Sequence, residues 1–234
     1  MFVNSMTSLE LKNLLKEIIN DFNFEEVKKY KLVVFAGLLG DFDSFEYAMN
    51  LSKFERENNI ENLDIFFIAI GNEKGKDKFC KYTGFPKKNL KVVNNNQIHN
   101  LVGASAGLDV GLGGWINLTL MLMGIGSPKT IIEVLRGYTG DKGSKQIYYD
   151  NDQINLFNFF KFSGKLFATP FGKGYLRPFE LATFRLKNMI EIFNNWEDYM
   201  TNNNYLPQRS CTFIMDKNNS IKYKYFSKDI LNYS

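Results

Sequence analysis

A cluster of polar residues follows an apolar run near the N-terminus and consists of Gly40, Asp41, Asp43 and Ser44. Aspartate carboxylates can act as nucleophiles or as general acids and bases. Asp and Ser are also favoured at the start of a helix, where each accepts free backbone N–H groups and contributes about 0.5–2 kcal/mol. The sequence leaves a structural and a chemical interpretation open at this turn.

Two cysteines, Cys80 and Cys211, lie far apart in the chain of 234 residues. Two cysteines do not build a disulfide framework at this size, so we expect a reducing, cytoplasmic compartment. Each cysteine is interpreted either as a small core residue or as a reactive thiol. In the second case Lys78 or Lys81 would lower the pKa of Cys80, and Cys211 would be the partner thiol.

Two further side chains could take part in a site. Arg209 is interpreted as a surface or carboxylate-paired arginine, and an ion pair with Asp41 or Asp43 is one hypothesis. His99 is the one histidine, which excludes a zinc site built on several histidines. We expect a hydrogen-bonded structural role for His99, and we expect neither a metal nor a cofactor.

The elements that must position these residues follow from the apolar pattern. Continuous apolar runs predict buried strands, and steps of three and four predict helices. The predicted order is helix, strand, helix, strand, helix, strand and helix, with a strand hairpin at the end. The predicted strands are 31–38, 63–71, 90–93, 211–215 and 220–226, and the main predicted helices are 9–22, 74–83, 96–102 and one that begins at Pro178 and extends to Met200.

This alternation predicts an α/β domain with a central mixed sheet flanked by helices, in the arrangement of the thioredoxin fold. We expect one domain over residues 1–234, with an N-terminal helical extension at 1–30. Residues 103–174 are rich in glycine and aromatic side chains, and we expect them to form an insertion with helices at 115–123 and 129–135.

Composition excludes some classes of function. Hydrophobic residues make up 44% of the chain and the net charge is +4, which is too small to indicate nucleic-acid binding. The uncharged stretch 110–125 is shorter than the roughly 20 residues that a transmembrane helix needs. We therefore expect no transmembrane span, and the first ten residues do not have the pattern of a signal peptide.

The chain resembles the peroxiredoxin-like proteins of the alkyl hydroperoxide reductase and thiol-specific antioxidant superfamily, in particular a branch typical of cyanobacteria and plastids. The resemblance rests on the order of several short stretches between about residues 31 and 225. These stretches are LGDFDSFEYA at 39–48, FCKYTGFP at 79–86, GIGSP at 124–128, RGY at 136–138, RPFELAT at 177–183 and TFIMD at 212–216.

The resemblance implies a thioredoxin fold and an antioxidant or thiol-redox function, with a thiol reductant protein or a peroxide as partner and a homodimer as a candidate assembly. Relatives have a Gly-Cys-x-x-Cys turn where this chain has Asp41 and Ser44, so the usual peroxidatic cysteine is missing. If the chain is an oxidoreductase, the candidate catalytic residues are Cys80, Cys211 and Arg209, the last of which is similar in placement to the arginine that polarises peroxide.

Two alternatives remain. The first is a non-catalytic binding protein of the same fold, whose contact surface is formed by the exposed apolar residues of 110–125. The second is a magnesium-dependent phosphatase of the haloacid-dehalogenase type, because Asp41 and Asp43 have the spacing of a nucleophile and its acid–base partner after a strand. The late acidic residue of that motif would be Asp141, which follows Gly140.

Overall fold

The computed structural model describes residues 7–22, 28–58, 61–139, 146–156, 160–168 and 176–233. It has the α/β architecture that the sequence predicts, with a central mixed sheet flanked by helices. The strands of the chain are β1 (Tyr30–Leu38), β2 (Leu63–Ile70), β3 (Leu90–Val93), β4 (Gln153–Leu156), β5 (Phe160–Ser163), β6 (Cys211–Asp216) and β7 (Ile221–Phe226).

Five of these strands form the central sheet in the order β3-β2-β1-β6-β7. The middle strand β1 pairs in parallel with β2 and antiparallel with β6, so that Leu32 lies beside Ile65 on one side and Ile214 on the other. Its central position explains the uninterrupted apolar run, because both faces of β1 are covered. Strands β6 and β7 form the C-terminal hairpin in the same sheet, an arrangement consistent with a thioredoxin-like fold.

Helices cover both faces of this sheet. In chain order they are α1 (Ser8–Asn20), α2 (Phe42–Asn58), α3 (Glu73–Thr83), α4 (Gln97–Leu101), α5 (Gly114–Leu122), α6 (Pro128–Thr139), α7 (Lys165–Ala168), α8 (Arg177–Asn194) and α9 (Trp196–Tyr199). No helix in the described part of the chain is long and apolar enough to cross a membrane.

Successive residues of the central strands point to two separate core layers. Val34 and Ala36 pack in the layer that contains buried residues of α2 and α3. Val33 and Phe35 pack in the opposite layer with buried residues of α1. This alternation follows from the period of two along a strand, and it decides which side chains of one strand can meet.

The structure differs from the sequence-based expectation in two places. Within the predicted insertion, helices α5 and α6 form as expected, but β4 and β5 add a separate two-stranded sheet that was not predicted. The long helix that was expected to extend from Pro178 to Met200 instead ends at Asn194, and α9 follows it. The Asn195 side chain donates to the Glu191 carbonyl and carboxylate at 3.1 and 3.0 Å, which favours a helix end there.

Candidate functional site

The turn that the sequence singled out lies between the end of the central strand β1 and the start of α2. Ser44 lies in the first turn of α2, and its hydroxyl donates to the Leu38 carbonyl at 2.8 Å. The preceding Gly37 has no side chain, and a Cβ there would stand 2.9 Å from Asp41 Oδ2 and 2.9 Å from the Gln208 carbonyl oxygen. The absent side chain therefore allows the Asp41 carboxylate and the segment before β6 to approach the strand closely.

Arg209 lies between the two carboxylates of this turn. Its two terminal guanidinium nitrogens donate to Asp43 Oδ2 and to Asp41 Oδ2, each at 3.1 Å. The ion pair that was a hypothesis from the sequence is therefore present, with both aspartates and not with one alone. Each aspartate accepts one of these charge-assisted hydrogen bonds, which are stronger than bonds between neutral groups.

The rest of the Arg209 guanidinium is also bonded within the protein. Its Nε donates to the Pro207 carbonyl at 2.9 Å, and a terminal nitrogen donates to the Leu206 carbonyl at 3.0 Å. The Arg209 side chain is 0% exposed, and the exposed fractions of Asp41 and Asp43 are 10% and 2%. This arginine thus belongs to a closed ionic cluster and not to an open pocket.

The closed cluster holds one positive charge and two carboxyl groups. If both carboxyls were ionised, the buried site would have a net negative charge, which is unfavourable away from water. Burial and, after it, the Asp41 charge raise the pKa of Asp43 to about 8, although Arg209 opposes the shift. Burial also raises the pKa of Asp41, against Arg209 and the N–H groups at the start of α2. Burial therefore favours a proton on one of the two carboxyl groups.

The two cysteines lie on opposite faces of the central sheet. Cys80 packs against the core layer of α2 and α3, whereas Cys211 points into the layer of α1. Both are free thiols, and the structure does not bring the predicted pair together. A disulfide within this chain would therefore require the sheet to open.

Neither thiol has the surroundings of a reactive cysteine. Burial raises the pKa of Cys80 to about 11 despite the opposing charge of Lys76. The predicted partner Lys78 instead pairs with Asp198 at 2.6 Å. Burial alone raises the pKa of Cys211 far above its ordinary value. Both sulfurs are therefore held as thiols, which are weak nucleophiles.

His99 has the hydrogen-bonded role that was expected. Its Nε2 lies 2.6 Å from the Ala36 carbonyl oxygen, which can only accept, so Nε2 carries the proton. Its Nδ1 is buried without a hydrogen-bond partner among the described residues. Burial lowers the pKa of His99 to about 4, which keeps the imidazole neutral at physiological pH.

A second arginine–carboxylate pair, which sequence reasoning missed, joins α2 to α8. Arg185 donates from Nε to Glu46 Oε2 at 2.9 Å and from a terminal nitrogen to Glu46 Oε1 at 3.2 Å. Its other terminal nitrogen donates to the Glu133 carbonyl at 2.7 Å, and the Tyr233 hydroxyl donates to Glu46 Oε1 at 2.7 Å. The sequence separation of 139 residues hides this pair from any local motif.

This second pair lines a cleft of about 420 Å³ between α2, α5, α6, α8 and the C-terminal segment. Its other polar lining residues are Thr183 and Asn188. The remaining lining side chains are apolar, namely Phe42, Leu122, Val134, Phe179, Ala182, Leu186, Met189, Ile230 and Leu231. A mostly apolar cleft with a few convergent polar groups has the general character of a small-molecule site.

The region 110–125 presents a broad apolar surface next to this cleft. Its large exposed side chains are Val110, Leu112, Trp115, Ile116, Leu122, Met123 and Ile125, and we call these seven residues the apolar surface. Leu122 belongs both to the apolar surface and to the cleft lining, so the two are continuous. Large exposed apolar patches are characteristic of interaction sites.

The geometry does not favour an aspartate nucleophile at the turn. Asp41 and Asp43 are held by Arg209, and the described residues include no group of three or more His, Cys, Asp or Glu arranged to hold a metal ion. The other acidic residue required by that hypothesis, Asp141 after Gly140, lies outside the described residues.

Comparisons of the chain with protein-family models, with curated proteins and with solved structures gave no significant match.

Proposed function

We propose that this protein is a divergent peroxiredoxin-like member of the thioredoxin fold that no longer catalyses peroxide reduction and acts as a non-catalytic binding protein. The observation that carries this proposal is the closed ionic cluster of Arg209, Asp41 and Asp43. Related proteins are expected to hold a thiolate at this turn, near an arginine that stabilises it. Here the arginine is neutralised by two carboxyl groups.

The position of the closed ionic cluster supports the loss of peroxide reduction. A helix N-terminus and a nearby arginine lower the pKa of a cysteine and so generate a thiolate. In this chain the N–H groups at the start of α2 act on the Asp41 carboxyl, and Arg209 acts on the carboxyls of both Asp41 and Asp43. A carboxylate cannot be oxidised by a peroxide in the way a thiolate can.

The binding part of the proposal is supported by the apolar surface and the adjoining cleft. The side chains of Leu112 and Met123 are each 64% exposed, which is unfavourable in water unless another molecule covers them. The polar contacts inside the molecule keep the surface in place, for example the bond at 3.1 Å from the Val110 N–H to the Asn117 side chain.

Thiol redox through Cys80 is the second candidate, and the observation in its favour is that Cys80 is partly exposed on α3. A titration with an aromatic disulfide reagent separates the two candidates. We expect both thiols to react slowly in the native protein and quickly in denaturant, because burial raises the pKa of each.

The Cys80→Ser variant shows which of the two thiols reacts in that titration. A fast native reaction that disappears in Cys80→Ser would support the redox candidate and overturn the non-catalytic proposal. A native reaction that is slow in both proteins would support the proposal.

A further inference from the structure

We infer that the cleft beside the Glu46–Arg185 pair binds an uncharged, mainly apolar molecule that carries a hydroxyl group, such as a long-chain alcohol. This inference rests on the proposed binding function and names the site and the class of ligand. The cleft has a volume of about 420 Å³, which lies within the range of small-molecule sites, roughly 300–1,000 Å³.

The shape of the cleft is fixed by contacts within the protein. Its C-terminal wall contains Ile230 and Leu231. The Ile230 N–H donates to the hydroxyls of Ser127 and Thr130 at 3.1 and 3.0 Å, and the Leu231 N–H donates to Asp43 Oδ1. A wall held in this way is preformed, which reduces the entropy lost when a ligand binds.

The polar groups of the cleft indicate which functional group a ligand would carry. A guanidinium has five N–H donors, and Arg185 uses three of them in its bonds to Glu46 and Glu133 among the described residues. The side chain is 17% exposed and lines the cleft. A ligand hydroxyl could accept from a remaining Arg185 N–H and donate to the Glu46 carboxylate.

The charge of the cleft indicates that the ligand is neutral. The charges of Glu46 and Arg185 balance, and the other polar lining residues, Thr183 and Asn188, are uncharged. A ligand carboxylate would add an unpaired negative charge in mostly apolar surroundings, next to the Glu46 carboxylate. That placement is costly, so an alcohol is favoured over the acid of the same chain length.

The apolar surface borders the cleft. Leu122 belongs to both, and Phe179 at the cleft is 58% exposed. The apolar part of a ligand can therefore contact both the cleft lining and an exposed apolar side chain.

The test measures displacement of a neutral fluorescent probe, N-phenyl-1-naphthylamine, by decanol and by decanoate. We expect decanol to displace the probe at a concentration about tenfold lower than decanoate, a factor that corresponds to about 1.4 kcal/mol. Ala182→Phe would fill the cleft, and we expect it to weaken both probe and decanol binding by about tenfold or more.

The Glu46→Gln variant tests the charge argument, because it leaves Arg185 with an uncompensated positive charge. We expect the preference to reverse, with decanoate binding more tightly than decanol. Glu133→Gln is the matched control: it removes the same charge near Arg185, but the Glu133 side chain pairs with Arg136 and is not part of the lining. We expect Glu133→Gln to keep the preference for decanol.

A double variant of the apolar surface, Leu112→Ser with Met123→Ser, separates binding in the cleft from binding outside it. Decanol binding that is lost in this double variant but unchanged in Ala182→Phe would overturn the cleft and leave the proposed binding function in place. The absence of probe and decanol binding in every protein would overturn the inference and the binding part of the proposed function. A preference for decanoate in the unmodified protein would overturn the ligand class.

Discussion

The closed ionic cluster and the Glu46–Arg185 pair both join an arginine to a carboxyl group on α2. They differ in how accessible the arginine is. Asp43 and Glu46 lie about one turn apart on α2, and each binds an arginine from a later part of the chain. Arg209 is 0% exposed and donates four hydrogen bonds within the protein, whereas Arg185 donates three, is 17% exposed and borders a cleft. The closed ionic cluster therefore has no room for a ligand, whereas the Glu46–Arg185 pair lies beside a cleft that has.

This difference indicates that arginine–carboxylate pairs on one helix can be structural at one position and accessible to a ligand at the next turn. The carboxyl groups at the turn bind Arg209 and tie the segment before β6 to the start of α2. One turn further along α2, the Glu46–Arg185 pair remains accessible from the cleft. The two arginines should therefore respond differently to substitution.

The largest expected effect is on stability when the arginine of the closed cluster is removed. Arg209→Ala leaves two buried carboxyl groups without a cation, and we expect a loss of about 3–5 kcal/mol in the free energy of unfolding. Arg185→Ala removes a more exposed partner, and we expect a smaller loss of about 1.5–3 kcal/mol. Urea unfolding at neutral pH measures both values.

Equal losses of unfolding free energy in Arg209→Ala and Arg185→Ala would contradict the distinction between the closed ionic cluster and the Glu46–Arg185 pair. An unchanged stability in Arg209→Ala would contradict the structural role of the cluster altogether.

A smaller effect is expected from a change of one pH unit, through the proton that the closed ionic cluster favours. The pKa of Asp43 is raised to about 8 in the folded protein from an ordinary value of 3.8, so the folded state binds this proton more tightly than the unfolded state. Its contribution to stability is complete below the ordinary pKa and is lost as the pH rises through about 8. The loss amounts to at most about 1.4 kcal/mol per pH unit.

The Asp43→Asn variant should lack this component, because asparagine does not titrate. We expect the difference in unfolding free energy between the unmodified protein and Asp43→Asn to change between about pH 5 and about pH 8. Asp77→Asn is the control, since Asp77 pairs with Lys87 on the surface and is 58% exposed. A difference that is constant with pH for Asp43→Asn would show that the cluster holds no extra proton.

The central sheet could be predicted from the sequence because its main strands are long, continuous apolar runs. Strand β1 is buried along nearly its whole length, and a run of this kind has few interpretations other than a central strand. The short strands β4 and β5 have four residues each, too few to establish a period, so they were missed. The break at Asn195 was missed because the apolar spacing continues across it through Trp196 and Met200.

The candidate site could be predicted only in part from the sequence. Asp41, Asp43 and Ser44 form a local motif, and the hypothesis that Arg209 pairs with Asp41 or Asp43 came from its resemblance in placement to the arginine of peroxiredoxins. The cleft depends on side chains from five parts of the chain, which no local pattern connects. One signal was present: Glu46 stands within the run from Phe45 to Ala48 on a helix that is buried on several sides, so it required a partner.

The most direct test of the central claim is the consumption of hydrogen peroxide by the purified protein, with a thioredoxin system or glutathione as reductant. The account predicts a rate equal to that of the reductant alone, because the turn holds the Arg209 cluster and both thiols have raised pKa values. Catalytic turnover that is abolished in Cys80→Ser would contradict it.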